Sequence, residues 1–319
     1  MKTMAQFIQG GIATLPDLKD ALQLAMQLEF STIPPYLCAE WSVDTTNSPP
    51  NSPPNTPPDP SGVGQMINKI VEQEMFHFAL AANLLAAIGG VPAIADASFV
   101  LPYPTHYLPG KIYQLLAVDL QPLSIDQLQV FMQIEFPEFT PVALVEAPPT
   151  SIGAFYTRIS EGFTNVNPTF VAGALAVAVP GAAAITDMPS AQAAITRIKE
   201  EGEGTTGSPD QPPADILQFA HYYVFKEIYE GKTLVPITGG WNWGDPPIIL
   251  PAVYNFAPSN ASPDQQTQFN QTFTTLLKDL QTCWTTSGTP PNVGAMENLR
   301  GQGIALIKQG IRPNFIWTE

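Results

Sequence analysis

Residues 66–88 constrain the fold more than any other part of the chain, because a long helical pattern there carries ionisable residues on its apolar side. Apolar residues recur every three or four positions, and two glycines and a proline within residues 89–92 are a typical helix stop. Glu74 lies within the apolar stripe, and His77 follows three residues later on the same side. A carboxylate facing a core must be paired, protonated or bound to metal, since an isolated buried charge is very costly. We therefore predict a helical protein that buries this pair.

Other periodic segments are helical as well, so the predicted fold class is all-α. The predicted helices span residues 18–30, 66–88, 124–136, 152–163, 191–203, 215–229, 265–282 and 296–309. Pro34 and Pro35 predict a kink, or a restart before residues 36–43, because proline removes a helical hydrogen bond.

Three stretches are predicted to be irregular. They are a loop at 47–62 with seven prolines, a crossover at 91–122 with a strand around 112–120, and a loop at 238–247. We predict a metal-binding helical bundle over residues 1–235 with long irregular loops, and a small C-terminal extension over residues 236–319 packed on it.

Helical phase places more ionisable side chains on apolar faces. Glu29 falls among the apolar residues of the first helix, and His221 among those of the 215–229 helix. Glu135 shares a side with the apolar residues of its helix. Glu161 lies opposite the apolar residues of its own helix, so we expect it in solvent.

The end of the 191–203 helix is rich in glutamate. Glu200 and Glu203 repeat the i, i+3 spacing of Glu74 and His77, but periodicity does not decide which of Glu200, Glu201 and Glu203 turns inward. The candidate metal ligands are Glu29, Glu74, His77, Glu135, Glu200, Glu203 and His221.

Each feature also has an ordinary structural explanation. A single ExxH pair is a weak motif, a histidine on an apolar face is more often a satisfied core residue, and a glutamate run at a helix end is typically solvated. The coincidence favours a metal site, because four separate helices each place an ionisable group in an apolar face and two of only three histidines are among them. Carboxylates with a few imidazoles suit two ions of iron or manganese.

Composition excludes several classes of partner. The net charge is −15 with only thirteen lysines and arginines, which leaves no basic surface for nucleic acid or an anionic membrane. No apolar run reaches the length of a membrane helix, and no signal-peptide pattern is found, so we expect a cytoplasmic protein. Cys38 and Cys283 are expected to be buried, reduced thiols.

Several segments together resemble a known family. They are LEFSTIPPYL at residues 28–37, EMFH at 74–77 with AANLL at 81–85, GEG at 202–204 and HY at 221–222. These segments are similar to the ferritin-like domain of iminophenyl-pyruvate dimer synthases, the violacein-pathway type of enzyme, whose members couple two amino-acid-derived imines oxidatively. The resemblance covers residues 15–235 and implies a ferritin-like helical bundle.

The resemblance implies that Glu29, Glu74 and His77 bind metal, together with Glu135, Glu203 and His221. Family members often have glutamine where this chain has Glu201. The implied function is a non-haem di-iron oxidoreductase whose partners are a small aromatic or amino-acid-derived substrate and dioxygen or peroxide, with a homo-oligomer left open. The alternative is a non-enzymatic metal-binding or structural ferritin-like protein.

Overall fold

Two long helices form the centre of the fold. In the computed structural model, which describes residues 2–110, 117–137, 151–205, 208–210, 217–258, 263–287 and 289–319, helix α2 spans Leu15–Ser42 and helix α3 spans Val63–Ala87. These two helices make the most extensive pairing among the described elements. Most apolar side chains of both are buried, so the pair forms the spine of the core.

Helix α2 continues through its two prolines and neither stops nor restarts there. Pro35 has no N–H to donate to the carbonyl of Ser31, one turn earlier. The hydroxyl of Tyr103, from the crossover after α3, donates to that carbonyl at 2.6 Å. Because a crossover residue satisfies the freed carbonyl, the helix can continue past the prolines, and one helix carries both Glu29 and Tyr36.

Shorter helices surround this pair. The helix over Met4–Gly10 was not predicted from the sequence, and the bounds of most of the others lie within three residues of the prediction. The shorter helices are α1 (Met4–Gly10), α4 (Ile125–Ile134), α5 (Ile152–Val166), α6 (Met188–Glu203), α7 (His221–Glu230), α8 (Pro263–Thr285) and α9 (Val293–Lys308). Ser124 caps α4 through its side chain, as expected from the sequence. Helix α5 packs on α6, α4 packs on α7, and α8 and α9 pack on each other and against α3 and α2 respectively.

Two predicted elements differ from the structure. Helix α7 begins at His221, so the predicted start at residue 215 is wrong; residues 211–216 lie outside the described part of the chain, and 217–220 are not helical. The loop predicted at 238–247 is instead the second strand of a hairpin, formed by β1 (Lys232–Ile237) and β2 (Gly240–Pro247). Gly239, with φ of +85°, supplies the reversal that an L-residue rarely adopts.

The predicted strand around residues 112–120 lies mostly outside the described residues. Its described end makes only an isolated bridge between Thr105 and Val118. Residues 47–62 form a loop, as predicted, although Asp59 within it caps α3 by accepting hydrogen bonds from Val63 and Gly64 at 2.9 and 2.8 Å.

The all-α prediction is confirmed, since the described residues form nine helices and one two-stranded sheet. Both cysteines are buried free thiols. None of the described helices combines the length and the apolar character that crossing a membrane requires. The division of the chain at residue 235 stays a prediction.

Candidate metal centre

One face of α2 carries the first part of the site. Glu29, Thr32 and Tyr36 follow the three-and-four spacing of a helix, and all three are buried. The Thr32 hydroxyl donates to Glu74 Oε2 on α3 at 2.6 Å, and the Tyr36 hydroxyl donates to Glu135 Oε1 at 2.5 Å. This face of α2 therefore positions carboxylates that belong to two other segments.

Three carboxylates are held in the same manner. Glu29 Oε1 accepts a hydrogen bond from the Tyr156 hydroxyl at 2.6 Å, as Glu74 and Glu135 accept theirs from Thr32 and Tyr36. In each case a hydroxyl occupies one carboxylate oxygen and leaves the second oxygen turned toward an imidazole. Charge-assisted bonds of this kind fix the orientation of the carboxylates.

The two imidazoles face the free carboxylate oxygens through Nδ1. His77 Nδ1 lies 3.6 Å from Glu29 Oε2 and 3.5 Å from Glu74 Oε1. His221 Nδ1 lies 2.9 Å from Glu74 Oε1 and 3.7 Å from Glu135 Oε2. Oε1 of Glu74 therefore lies between the two imidazoles, whose ring centroids are 5.4 Å apart.

The other nitrogen of each imidazole is already engaged. His77 Nε2 lies 2.8 Å from Glu201 Oε2, and His221 Nε2 lies 3.2 Å from Gln73 Oε1. When Nε2 donates its proton to these oxygens, Nδ1 of the neutral ring carries a lone pair. Partners of this kind, behind the ring, are typical of metal-binding histidines because they set the tautomer.

The environment of the His221 Nδ1 atom is what most clearly suits a cation. This atom is buried and has no hydrogen-bond partner, although Glu74 Oε1 is only 2.9 Å away. A lone pair facing a carboxylate oxygen at this distance is repulsive unless a positive charge lies between them. The donor atoms therefore fit a metal ion.

The pKa shifts in the cluster favour a positive charge between the imidazoles and the carboxylates. Burial raises the pKa of the Glu29 carboxyl to about 7, against the lowering effect of His77. Burial opposes ionisation of Glu74 too, but His221 and His77 outweigh it and lower the pKa of Glu74. For His221, burial acts to lower the pKa, and Glu135 and Glu74 overcome it and raise the pKa to about 9.

The end of α6 contributes two further carboxylates. Glu201, left undecided by periodicity, is fully buried, bonds to His77 and pairs with Arg197 at 2.6 Å. Glu203 lines the same cavity as Glu29, Glu74, His77 and Glu135, and accepts a hydrogen bond from the Gly153 backbone at 2.6 Å. A Cβ at Gly153 would overlap the Glu203 carboxylate, so a larger residue at this position on α5 would displace that carboxylate.

Two other glutamates lie away from the cluster. Glu200 is a predicted ligand that the structure does not bring together with the rest; it lines the neighbouring cleft between α5 and α6 and is half-buried. Glu200 precedes Glu201 and Glu203 on the helix, and its side chain points to a different side. Glu161 is 49% exposed and pairs with Arg158, as expected for a solvated residue.

Sequence reasoning missed the residues that hold the ligands. Thr32 and Tyr36 share the helical phase of Glu29, so the periodicity of α2 could have indicated both. Tyr156 shows no such signal, because its place in the apolar stripe of α5 looks like ordinary core. The partner roles of Gln73 and Gly153 arise only from tertiary contacts.

Two neighbouring spaces adjoin the ligands. The cavity beside the carboxylates has a volume of about 20 Å³, close to that of one or two water molecules. A larger cleft of about 240 Å³ between α5 and α6 shares Tyr156, Lys199 and Glu203 with it. The cleft therefore lies directly beside the buried cluster, and of the two spaces it alone has room for a molecule larger than water.

Among the described residues, Glu74, His77 and His221 form a group whose ligand atoms all lie within 4.8 Å of one another. This group spans α3 and the first residue of α7, so two helices must pack before it exists. It is the candidate metal-binding centre of the chain.

Comparison with known proteins agrees with this architecture. Residues 22–230 match the ferritin-like family. A ferritin-like protein from Caulobacter vibrioides, of known crystal structure, is 23% identical with a TM-score of 0.65, over 96% of this chain and 99% of that one. This likeness shows the fold alone, and no curated protein matches the sequence. Because the family match covers well over half of the chain, the protein belongs to the ferritin-like family.

Proposed function

We propose that the protein binds two metal ions that share Glu74. Glu29, Glu74 and His77 would hold the first ion, and Glu74, Glu135 and His221 the second, with Glu203 as a further carboxylate. The observation that carries this proposal is the arrangement of the two imidazoles, each with Nε2 engaged and Nδ1 facing carboxylate oxygens. The donor set of carboxylates and imidazoles suits iron, or manganese.

The ligand arrangement departs from the most regular ferritin-like pattern. That pattern uses two ExxH motifs on two helices and single glutamates on the two others. Here α3 supplies one ExxH motif, while the second histidine, His221, comes from α7 and not from α6. The glutamates of α6 support the site instead, since Glu201 orients His77.

The proposed activity is that of a non-haem di-iron oxidoreductase. Iron ions in this site would supply the electrons and Lewis acidity needed to reduce dioxygen or peroxide. The small cavity admits molecules of that size, and the adjoining cleft provides room for an organic substrate. Hydroxyls of Tyr36, Tyr156 and Thr32 hold the carboxylates in place.

The cleft indicates the chemical class of the substrate. Its wall carries the Lys199 ammonium, hydrogen-bonded to Thr157 at 2.8 Å, and the hydroxyls of Ser160 and Thr196 beside the ring of Tyr156. The tyrosine ring suits an aromatic group, and the ammonium of Lys199 together with the carboxylates of Glu200 and Glu203 on the same lining suits a substrate with both a carboxylate and a nitrogen group. This lining and the sequence resemblance support a small aromatic, amino-acid-derived substrate of the kind that iminophenyl-pyruvate dimer synthases use.

Oxygen uptake by the iron-loaded protein tests this proposal. Protein reconstituted with Fe(II) without oxygen should consume dioxygen after exposure to air, and aromatic 2-imino acids should accelerate the uptake. Glu74→Ala should abolish uptake, whereas the exposed Glu161→Ala should retain it. Metal binding without oxygen uptake under any condition would support a non-enzymatic metal-binding protein. A folded protein that binds no metal would support a structural bundle.

A further inference from the structure

A second, larger cavity lies on another side of the two central helices. Its volume is about 380 Å³, and its wall is formed by α2, α3, α8 and α9 and by residues 177–179. The lining is almost entirely apolar and includes Phe30, Leu37, Phe78, Leu277 and Trp284. Protein interiors rarely leave voids larger than a water molecule, whereas pockets for small organic ligands have about this size and character.

This cavity is separate from the metal centre. In the described part of the chain, no residue lines both spaces. On α3, Glu74 and His77 face the metal centre, while Met75 and Phe78 face the apolar cavity, as their different helical phases require. A molecule bound here would therefore touch none of the proposed metal ligands.

Specific hydrogen bonds fasten two walls of the cavity to α3. The Asn83 side chain on α3 donates to the Val177 carbonyl at 2.8 Å and accepts from the Val177 amide at 2.9 Å. The same side chain accepts from Trp284 Nε1 on α8 at 2.8 Å. One residue therefore fixes two walls of the cavity relative to α3.

The mouth of the cavity carries more negative than positive charge. Glu72 and Glu297 are exposed there, and Val293, which is 59% exposed, shows that the mouth is open to solvent. Arg300 is the one cation among the described lining residues, and its guanidinium is directed to Glu40, to which it donates at 2.6 Å. This balance disfavours ligands with an anionic group.

We propose that the apolar cavity is a binding site for a neutral, apolar small molecule, aromatic or aliphatic. The apolar wall provides the driving force through burial of the ligand surface, and the acidic mouth selects against anions. Nothing in this proposal depends on metal at the other site.

A matched pair of fluorescent probes tests both parts. N-phenyl-1-naphthylamine is neutral, and 1-anilinonaphthalene-8-sulfonate has the same ring system with an added sulfonate. We expect saturable binding of one neutral probe per chain, at least tenfold tighter than the sulfonate. Energy transfer from tryptophan to the bound neutral probe should fall in Trp284→Phe. It should remain in Trp243→Phe, because Trp243 lies on the hairpin and does not line this cavity.

Filling the cavity should remove binding. Ala79 on α3 lines the wall, so Ala79→Phe should weaken binding of the neutral probe at least tenfold. Ala193→Phe is the control, because Ala193 is at an exposed position of α6, and it should leave the affinity unchanged. Met296→Trp at the half-buried mouth is a second blocking variant should Ala79→Phe fail to fold, which circular dichroism would reveal. The proposal is overturned by non-saturable binding, by equal affinity for both probes, or by full affinity in a folded blocking variant.

Discussion

Replacing Tyr156 by phenylalanine isolates the hydroxyl that holds the first carboxylate of the centre. Tyr156 is fully buried, and its hydroxyl donates to Glu29 Oε1 at 2.6 Å. Phenylalanine keeps the ring and its packing, so the substitution leaves one buried carboxylate oxygen without a donor. We expect Tyr156→Phe to lower both the stability of the protein and its affinity for metal.

The size of the effect follows from the charge on Glu29. Its pKa of about 7 means that the carboxylate is mostly ionised at pH 8. A hydrogen bond to a charged group contributes about 1.5–3 kcal/mol. The unfolding entropy of a chain of 319 residues is about 0.7 kcal/mol/K, so Tm should fall by about 2–4 °C. Loss of a group that orients a metal ligand should weaken metal binding about 10–100-fold.

Thermal unfolding followed by circular dichroism at pH 8, in the presence of a chelator, measures the first effect, and an Fe(II) titration measures the second. Tyr107→Phe is the matched control, since Tyr107 is 50% exposed and lines neither the cavity nor the cleft at the centre. If Tyr156→Phe behaves as Tyr107→Phe does in both assays, the role assigned to this hydroxyl is wrong.

Three further predictions concern other parts of the molecule. Glu135→Ala should lower metal content measured by mass spectrometry, and Glu161→Ala should not; equal loss would contradict the assigned geometry. Burial raises the pKa of Glu40 from 4.5 to about 7 although Arg300 opposes it, so the wild type should lose about 3 kcal/mol of stability from this group as the pH rises from about 4.5 to 7. Urea unfolding of Glu40→Gln across this range should show no such loss of stability. A variant whose stability falls with pH as much as that of the wild type would refute the prediction. Replacing residues 48–57 by a short Gly/Ser linker, while keeping Asp59, should leave Tm nearly unchanged, whereas Asp59→Ala should cost about 0.5–2 kcal/mol through loss of the cap on α3. A large loss from the linker would show that the loop packs on the bundle.

The periodicity of each segment was sufficient to predict the main helices and the burial of most ionisable residues of the site. Glu29, Glu74 and Glu135 are buried where their helical phase places them, and Glu161 is solvated for the same reason. These positions follow from the pattern of one helix at a time, because an amphipathic helix has one face that meets the core.

The remaining features depend on contacts between elements. Near the end of α6, Glu201 turns inward because Arg197 and His77 provide partners for it. Glu200 does not turn inward. Glu203 reaches the cavity because Gly153 on another helix has no side chain. His221 reaches the centre from the first turn of α7, so its position depends on where that helix begins. No periodic pattern encodes contacts of this kind.

The central claim is that Glu74 is shared by two metal ions, and the metal content of purified protein tests it most directly. After anaerobic loading with Fe(II) and removal of excess metal, inductively coupled plasma mass spectrometry should find two ions per wild-type chain. Glu74→Gln should lose both ions, because Glu74 Oε1 lies 3.5 Å from His77 Nδ1 and 2.9 Å from His221 Nδ1. Glu161→Gln should keep two. A folded wild type with one ion or none, or a Glu74→Gln variant that retains two, would contradict the shared site.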